Sequence, residues 1–147
     1  MTATALVGMA ILKPVVALAA WTMVMWLWMY ATRIPAMGKA KIDTASLVGG
    51  TGKDLDGRLP ESVQWIAHNY NHQHEAPTVF YAVALVLAIT GHGDGLNAQI
   101  GWAYVGLRVL HSIVQASINR VMVRFGLFAL SSLALIALVV HAVIAVF

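Results

Sequence analysis

Four long apolar stretches, separated by short polar connections, dominate the hydrophobic pattern of the chain. Roughly 20 helical residues cross about 30 Å of hydrocarbon, and Ala5–Ala31, Ser62–Thr90, Leu96–Ser117 and Met122–Phe147 are long enough to do so. The second stretch has a polar first half, so it can span a membrane only if that half faces protein or water. The pattern predicts an all-α, integral membrane four-helix bundle, with residues 1–147 forming one domain.

Composition agrees with a membrane class and limits the chemistry. The chain is 60% hydrophobic and only 10% charged, which is too apolar for a soluble domain of 147 residues. The first stretch lacks a basic leading region and contains Lys13, so we interpret it as a retained helix rather than a signal peptide. There are no cysteines, so any thiol chemistry requires a thiol supplied by a cosubstrate.

The basic residues predict the orientation in the membrane. Most of them lie in the first connection (Arg33, Lys39, Lys41, Lys53 and Arg58). The third connection carries Arg120, whereas the GHGDG turn at 91–95 carries no Lys or Arg. By the positive-inside rule, connections one and three are cytoplasmic and both termini lie on the opposite side. Compact loops and the lack of an endoplasmic-reticulum retrieval tail suit a bacterial inner membrane, and no dense basic patch indicates a nucleic-acid partner.

Two polar stripes follow the helical repeat. One lies on the second stretch, at steps of three and four (Glu61, Gln64, His68, Asn71 or His72, Glu75 and Thr78). The other lies on the third stretch with the same spacing (Arg108, His111, Ser112, Gln115 and Asn119). We expect the two stripes to face each other, or to line a water-filled cavity, in the cytoplasmic half.

A charged pair is expected where the stripes meet. Arg108 lies near the middle of its span, where a charge costs about 2.5–3.5 kcal/mol on insertion scales. Glu75 lies at a similar depth, so we expect a Glu75–Arg108 ion pair that clamps the helices, contributes to binding, or does both. Pro77 lacks a backbone N–H and frees the carbonyl of Gln73, which predicts a kink beside the stripe.

The histidines of the second stretch allow a different reading. His68, His72 and Glu75 are spaced so that they could face one metal ion. Only one such cluster exists and His74 points elsewhere on the helix, so hydrogen bonding or direct ligand contact is favoured and no metal cofactor is expected. Arg124 and Arg33, near cytoplasmic helix ends, could simply extend to the membrane interface.

Three segments resemble the MAPEG family, the membrane-associated proteins of eicosanoid and glutathione metabolism. These segments are HNYNHQHEAPTVFYA, WAYVGLRVLHSIVQ and NRVMVRFGLF. The similarity covers roughly residues 61–128, and the first helix matches mainly in topology and in Arg33. The pattern of Arg108, His111 three residues later and Arg124 sixteen residues after Arg108 is fairly specific in combination with this topology.

The resemblance implies a homotrimer that binds glutathione as a cosubstrate between subunits, near the cytoplasmic side. It implies that Arg124 stabilises the thiolate, since a nearby cation lowers the pKa of a thiol. The electrophile would be a lipophilic small molecule that enters from the membrane lipids. The cosubstrate would be held by a group of polar side chains (Arg33, Asn71, Glu75, Arg108, His111 and Gln115).

The chain departs from the family pattern at several positions. Gln115, Phe125 and Phe128 stand where a tyrosine, a serine and a second tyrosine occur in the family, and the spacing from Asn71 through Glu75 to Pro77 is altered. The thiol is therefore held differently, is not glutathione, or is no longer activated. The leading hypothesis is a glutathione transferase or peroxidase of MAPEG type. The alternatives are a non-catalytic lipid- or small-molecule-binding membrane protein and a histidine-based metalloenzyme.

Overall fold

The computed structural model describes residues 8–147, which form a bundle of α-helices. The helices are α1 (Leu12–Lys39), α2 (Glu61–His72), α3 (Ala76–Ile89), α4 (Leu96–Ala116) and α5 (Val121–Val146), and a short 3-10 turn occupies Gly52–Leu55. The described residues contain no strand. Because α2 and α3 together form the second span, the predicted all-α four-helix bundle is confirmed, with one helix divided. Residues 5–7 of the predicted first span lie outside the described residues.

Two of the helices can cross a membrane by length and apolar composition alone. They are α1, with 28 residues, and α5, with 26, each about 40 Å long at 1.5 Å per residue. Helix α4 has 21 residues but carries the polar stripe, and the second span is shared between helices of 12 and 14 residues. These two spans therefore depend on burying their polar faces against the rest of the bundle.

The second span is broken beside the polar stripe. Helix α2 ends at His72, and α3 begins at Ala76 with Pro77 in its first turn. A proline is tolerated there because the first N–H groups of a helix have no intrahelical partner. The predicted kink is thus confirmed as a full break. The predicted single polar face running from Glu61 to Thr78 is wrong, since Glu75 adopts a non-helical conformation at the break.

Packing holds α2 against the C-terminal halves of α1 and α4. A small cluster of buried apolar residues joins these three helices (Met25, Met29, Ile66, Ala67 and Ala116). The larger core lies towards the other end of the bundle, where Phe80 stacks on Tyr104 with ring centroids 4.6 Å apart. Apolar packing at both ends leaves the buried polar side chains between α2 and α4.

The first helix begins and ends later in the chain than its apolar pattern indicates. It was expected to end at Ala31, but it continues through Pro35 to Lys39. Its beginning is attached to the α3–α4 turn, because the Asp94 carboxylate accepts from the N–H groups of Gly8 (2.7 Å) and Ala10 (2.9 Å). This attachment lies at the end of the bundle opposite the start of α5.

Candidate functional site

A cavity of about 270 Å³ lies between the end of α2, the middle of α4 and the start of α5. Its walls combine one cation, two imidazoles and apolar side chains (His72, His111, Val121, Arg124, Phe125 and Phe128). The His72 and His111 rings are 5.1 Å apart, and Phe128 lies 6.0 Å from the former and 6.5 Å from the latter. The cavity therefore places a guanidinium beside a largely aromatic wall.

Arg124 reaches this cavity from the first turn of α5. The turn that precedes α5 includes Asn119, whose φ of 49° lies in the left-handed region that asparagine tolerates better than most residues. The Asn119 side-chain oxygen accepts from Nη1 of Arg124 at 2.6 Å. The buried Nε of Arg124 has no hydrogen-bond partner within residues 8–147. One donor thus orients the guanidinium at the cavity, and its buried Nε is left without a partner.

Arg108 is fully buried behind the cavity wall. Its Nη2 donates to the backbone carbonyl of His72 at 3.2 Å, and its Nη1 lies 3.5 Å from Nε2 of the same residue. Its Nε has no partner in the described part of the chain. A buried cation is stable only when an anion or several hydrogen bonds compensate it, so this guanidinium is suited to an anionic partner.

The expected Glu75–Arg108 ion pair is wrong. The Glu75 carboxylate instead interacts with Nδ1 of His72 at 2.5 Å, and the Glu75 side chain is mostly exposed. The physical reason is the break after His72, which removes Glu75 from the face of α2 that meets α4. His72 therefore lies between the acid and the arginine and contacts both.

A buried hydrogen-bonded network fixes α2 to α4 and α1. The Ser112 hydroxyl accepts from Nδ2 of Asn69 at 2.7 Å and from Nε1 of Trp21 at 2.9 Å. Nε2 of Gln73 donates to the Asn69 side chain at 3.3 Å. The helical pattern predicts Ser112 in a polar stripe but does not single out Asn69 or Gln73. Their spacing of four residues was the available signal, because it places both on one face of α2.

The remaining candidate residues divide into two groups. His111 lines the cavity and Gln115 is buried about one helical turn further along α4, and each has a buried polar atom without a partner among residues 8–147. Asn71 and Arg33 lie outside the cavity lining. Asn71 is exposed, and Arg33 donates to the carbonyl of Gly52 in the first connection at 2.6 Å. One chain therefore brings together only part of the predicted binding set.

The alternative of a three-ligand metal site in α2 is wrong. His68 interacts with Asp56 at 3.1 Å, whereas His72 interacts with Glu75. Within residues 8–147, no three or more His, Cys, Asp or Glu side chains are grouped so that they could hold an ion. The histidines of this segment serve as hydrogen-bonding groups instead.

The arrangement is suited to binding an anion next to an apolar molecule. Guanidinium groups pair strongly with carboxylates, and a nearby cation favours a thiolate over a thiol. Arg124 and His111 line the cavity, and a guanidinium and an imidazole are groups that can bind the carboxylates and the thiol of a cosubstrate such as glutathione. The residues present therefore fit this cosubstrate chemically.

Comparison with known proteins gives one family match. The model of the MAPEG family matches residues 11–144, and this range includes every residue of the cavity lining. No curated protein and no solved structure matches the chain.

Proposed function

The chain belongs to the MAPEG family, and from this membership we propose that it is a membrane-embedded, glutathione-dependent transferase or peroxidase acting on lipophilic electrophiles. The observation that carries the proposal is the cavity between α2, α4 and α5, which is lined by Arg124 and has the buried Arg108 behind its wall. Family membership supports glutathione-related membrane chemistry in general, and the cavity supports this particular form of it.

Arg124 is the residue that we assign to the thiol. Its guanidinium is oriented by Asn119 and lies among Phe125, Phe128 and His111. In such apolar surroundings a fixed cation lowers the pKa of a nearby thiol and so raises the fraction of nucleophilic thiolate at neutral pH. His111 lines the same cavity and is positioned to donate to the cosubstrate or to accept from it.

Arg108 is assigned to a carboxylate of the cosubstrate. Its charge lacks an acidic contact within the described chain, and a bound carboxylate would compensate it. His72 contacts both Arg108 and Glu75, so binding at Arg108 would be coupled to the exposed Glu75. Gln115 supplies a buried amide in place of the family tyrosine.

A homotrimer would complete the site. Asn71 and Glu75 are exposed, and Arg33 lies away from the cavity lining, so they can contact the cosubstrate only if it is bound between subunits. A wide apolar groove between α1 and α4 contains small residues (Ala17, Ala20 and Gly106). Small residues let transmembrane helices approach closely, which supports helix contacts between subunits.

The electrophile would reach the cavity from the lipid. Val121 and Phe125 are strongly exposed apolar residues at its rim, and Phe128 is exposed to a smaller extent. This lining favours hydrophobic substrates that partition into the bilayer. We place the cavity at the cytoplasmic side of a bacterial inner membrane, since the basic connections flank this end of the bundle.

Conjugation of glutathione to a lipophilic aryl halide, by protein purified in detergent, tests the function. We expect turnover above the spontaneous rate, and a loss of at least about tenfold in Arg124→Ala, which corresponds to about 1.4 kcal/mol of transition-state stabilisation. Arg120→Ala is the matched control, because Arg120 is exposed at the same helix start and lies outside the cavity lining. A complete lack of turnover with saturable lipid binding would favour the non-catalytic alternative.

A further inference from the structure

A groove of about 520 Å³ lies between the end of α1 and the start of α2. Along α1 it extends from Ala31 to Lys39, and it shares no lining residue with the candidate thiol cavity. Ser62 in its wall precedes His72 by ten residues of α2, or about 15 Å at 1.5 Å per residue. Most of the other wall residues are small or apolar (Pro35, Ala36, Pro60 and Val63).

The length of α1 places this groove at the level of the lipid headgroups. Of the 28 residues of α1, the first 20, from Leu12 to Ala31, are about 30 Å long. This length matches the hydrocarbon thickness of a bilayer, about 30 Å. The remaining turns, up to Lys39, extend about 12 Å further. The groove therefore begins at the edge of the hydrocarbon and runs outward through the headgroup layer.

Exposed aromatic residues of α1 support the same depth. Trp26, Trp28 and Tyr30 are exposed, and the rings of Trp26 and Tyr30 meet edge to face with centroids 5.0 Å apart. Tryptophan and tyrosine concentrate at the membrane–water interface, where their rings lie at headgroup level. The groove begins at the next residue, Ala31, so it directly follows these interfacial aromatic residues.

Lys39 gives the groove a positive charge. Its side chain is exposed, and it forms no ion pair with an acidic side chain of residues 8–147. The exposed Ser62 adds a hydroxyl donor, whereas the Thr32 hydroxyl already donates to the carbonyl of Trp28 at 2.9 Å. Glu61 is adjacent to Ser62 but lies outside the lining. The groove thus presents an ammonium and a hydroxyl beside an apolar wall.

We infer that one anionic phospholipid binds in this groove, with its phosphate at Lys39 and Ser62 and the first carbons of an acyl chain along Ala31 and Val63. The inference rests on the membrane placement proposed above and is independent of the glutathione chemistry. Anionic lipids give the cytoplasmic leaflet a negative surface potential, which attracts basic residues next to a membrane-spanning helix.

A lipid matches the composition of the groove better than a helix of a second copy does. A helix packed over the groove would cover Lys39, and a cation that is removed from water needs an anionic partner. A phospholipid supplies a phosphate for the ammonium and an apolar chain for the wall at the same time. The lipid is therefore the occupant that satisfies both parts of the groove.

Titration of phosphatidylglycerol into protein purified in non-ionic detergent, with bound lipid counted by native mass spectrometry, tests the proposal. Phosphatidylcholine with the same acyl chains is the control lipid, because its headgroup has no net charge. We expect saturable binding of one phosphatidylglycerol per chain. Its affinity should exceed that of phosphatidylcholine by about fivefold or more, which corresponds to about 1 kcal/mol for one lysine near an anionic surface.

Two pairs of variants test the two parts of the groove. Lys39→Gln should lower the affinity for phosphatidylglycerol to that for phosphatidylcholine, whereas Lys53→Gln, exposed in the same connection but outside the lining, should change neither affinity. Ala31→Trp fills the inner end of the groove and should weaken binding of both lipids by about fivefold or more. Ile34→Trp, also exposed on α1 but outside the lining, should weaken neither.

The comparison of the two lipids on the unaltered protein does not depend on any variant folding. Equal affinity for the two lipids, or no saturable binding of phosphatidylglycerol, would overturn the proposal. Equal losses in Lys39→Gln and Lys53→Gln, or unchanged binding in Ala31→Trp, would overturn it as well. Glycerol phosphate, which lacks acyl chains, should bind about tenfold more weakly or worse; binding as tight as that of the lipid would indicate a site for free phosphate instead.

Discussion

Replacing Arg108 by methionine distinguishes a role of this arginine in glutathione binding from a purely structural role between the helices. Two effects of opposite sign decide the stability of this variant. Removing a charge from the centre of a membrane helix recovers about 2.5–3.5 kcal/mol on insertion scales. Losing the charged hydrogen bond from Nη2 to the His72 carbonyl gives up about 1.5–3 kcal/mol. The two nearly cancel, so we expect the free energy of unfolding to change by no more than about 2 kcal/mol.

Glutathione binding should respond very differently. Loss of one partner of a buried charge pair costs about 2–5 kcal/mol, so Arg108→Met should weaken glutathione binding by about 30-fold or more. Titration calorimetry measures the binding, and unfolding by denaturant in detergent measures the stability. Glu75→Gln is the control for stability, because this side chain is mostly exposed and surface substitutions usually change stability by less than about 0.5 kcal/mol.

A purely structural role of Arg108 would give the reverse pattern of stability and glutathione binding. If Arg108 served only to neutralise a buried carboxylate, its removal would leave that charge unpaired and cost about 3–5 kcal/mol. A loss of stability of that size in Arg108→Met, with unchanged glutathione binding, would refute the assignment of Arg108 to a carboxylate of the cosubstrate.

Three further predictions concern the rest of the fold. Ser112→Ala leaves two buried donors without their acceptor and should cost about 1–3 kcal/mol in denaturant unfolding, whereas Ser117→Ala, at the exposed end of α4, should be nearly neutral. In Gly93→Ala the new Cβ would lie 2.0 Å from the carbonyl oxygen of Gly8, so a loss of about 1–3 kcal/mol is expected; Gly38→Ala, whose Cβ meets nothing within 4 Å, should be neutral or slightly stabilising. Two backbone N–H donors hold the pKa of Asp94 below its usual value. The Asp94 carboxylate therefore contributes fully to stability above its unfolded-state pKa, about 3.9. This contribution is lost as the pH falls through the lower folded-state pKa. Between pH 7 and pH 3, the unfolding temperature of Asp94→Asn should consequently fall less than that of the unaltered protein.

The sequence predicts the helices of this fold better than their ends. Hydropathy and helical spacing identify all four spans, because both depend on local composition. Helix α4, expected over 96–117, is observed over Leu96–Ala116. The C-terminal end of α1 could not be predicted in this way, because hydropathy indicates only where the apolar stretch ends. The backbone remains helical beyond that point, through Pro35 to Lys39.

The candidate site is predictable on α4 but not across the break after α2. Arg108, His111, Ser112 and Gln115 are all buried on one face, as their spacing indicates. The position of Glu75 depends on whether Pro77 bends the helix or ends it, and a local pattern cannot distinguish these outcomes. The network of Asn69, Gln73 and Ser112 depends on the rotation of α2 against α4, which tertiary packing determines.

Activation of the thiol by Arg124 is the central claim, and ultraviolet absorbance of the thiolate tests it most directly. Purified protein is titrated with glutathione near neutral pH, and the thiolate signal is compared between the unaltered protein, Arg124→Ala and Arg120→Ala. We predict a saturable thiolate signal in the unaltered protein and in Arg120→Ala, and its loss in Arg124→Ala. No thiolate signal in the unaltered protein, or the same signal in Arg124→Ala, would contradict the account.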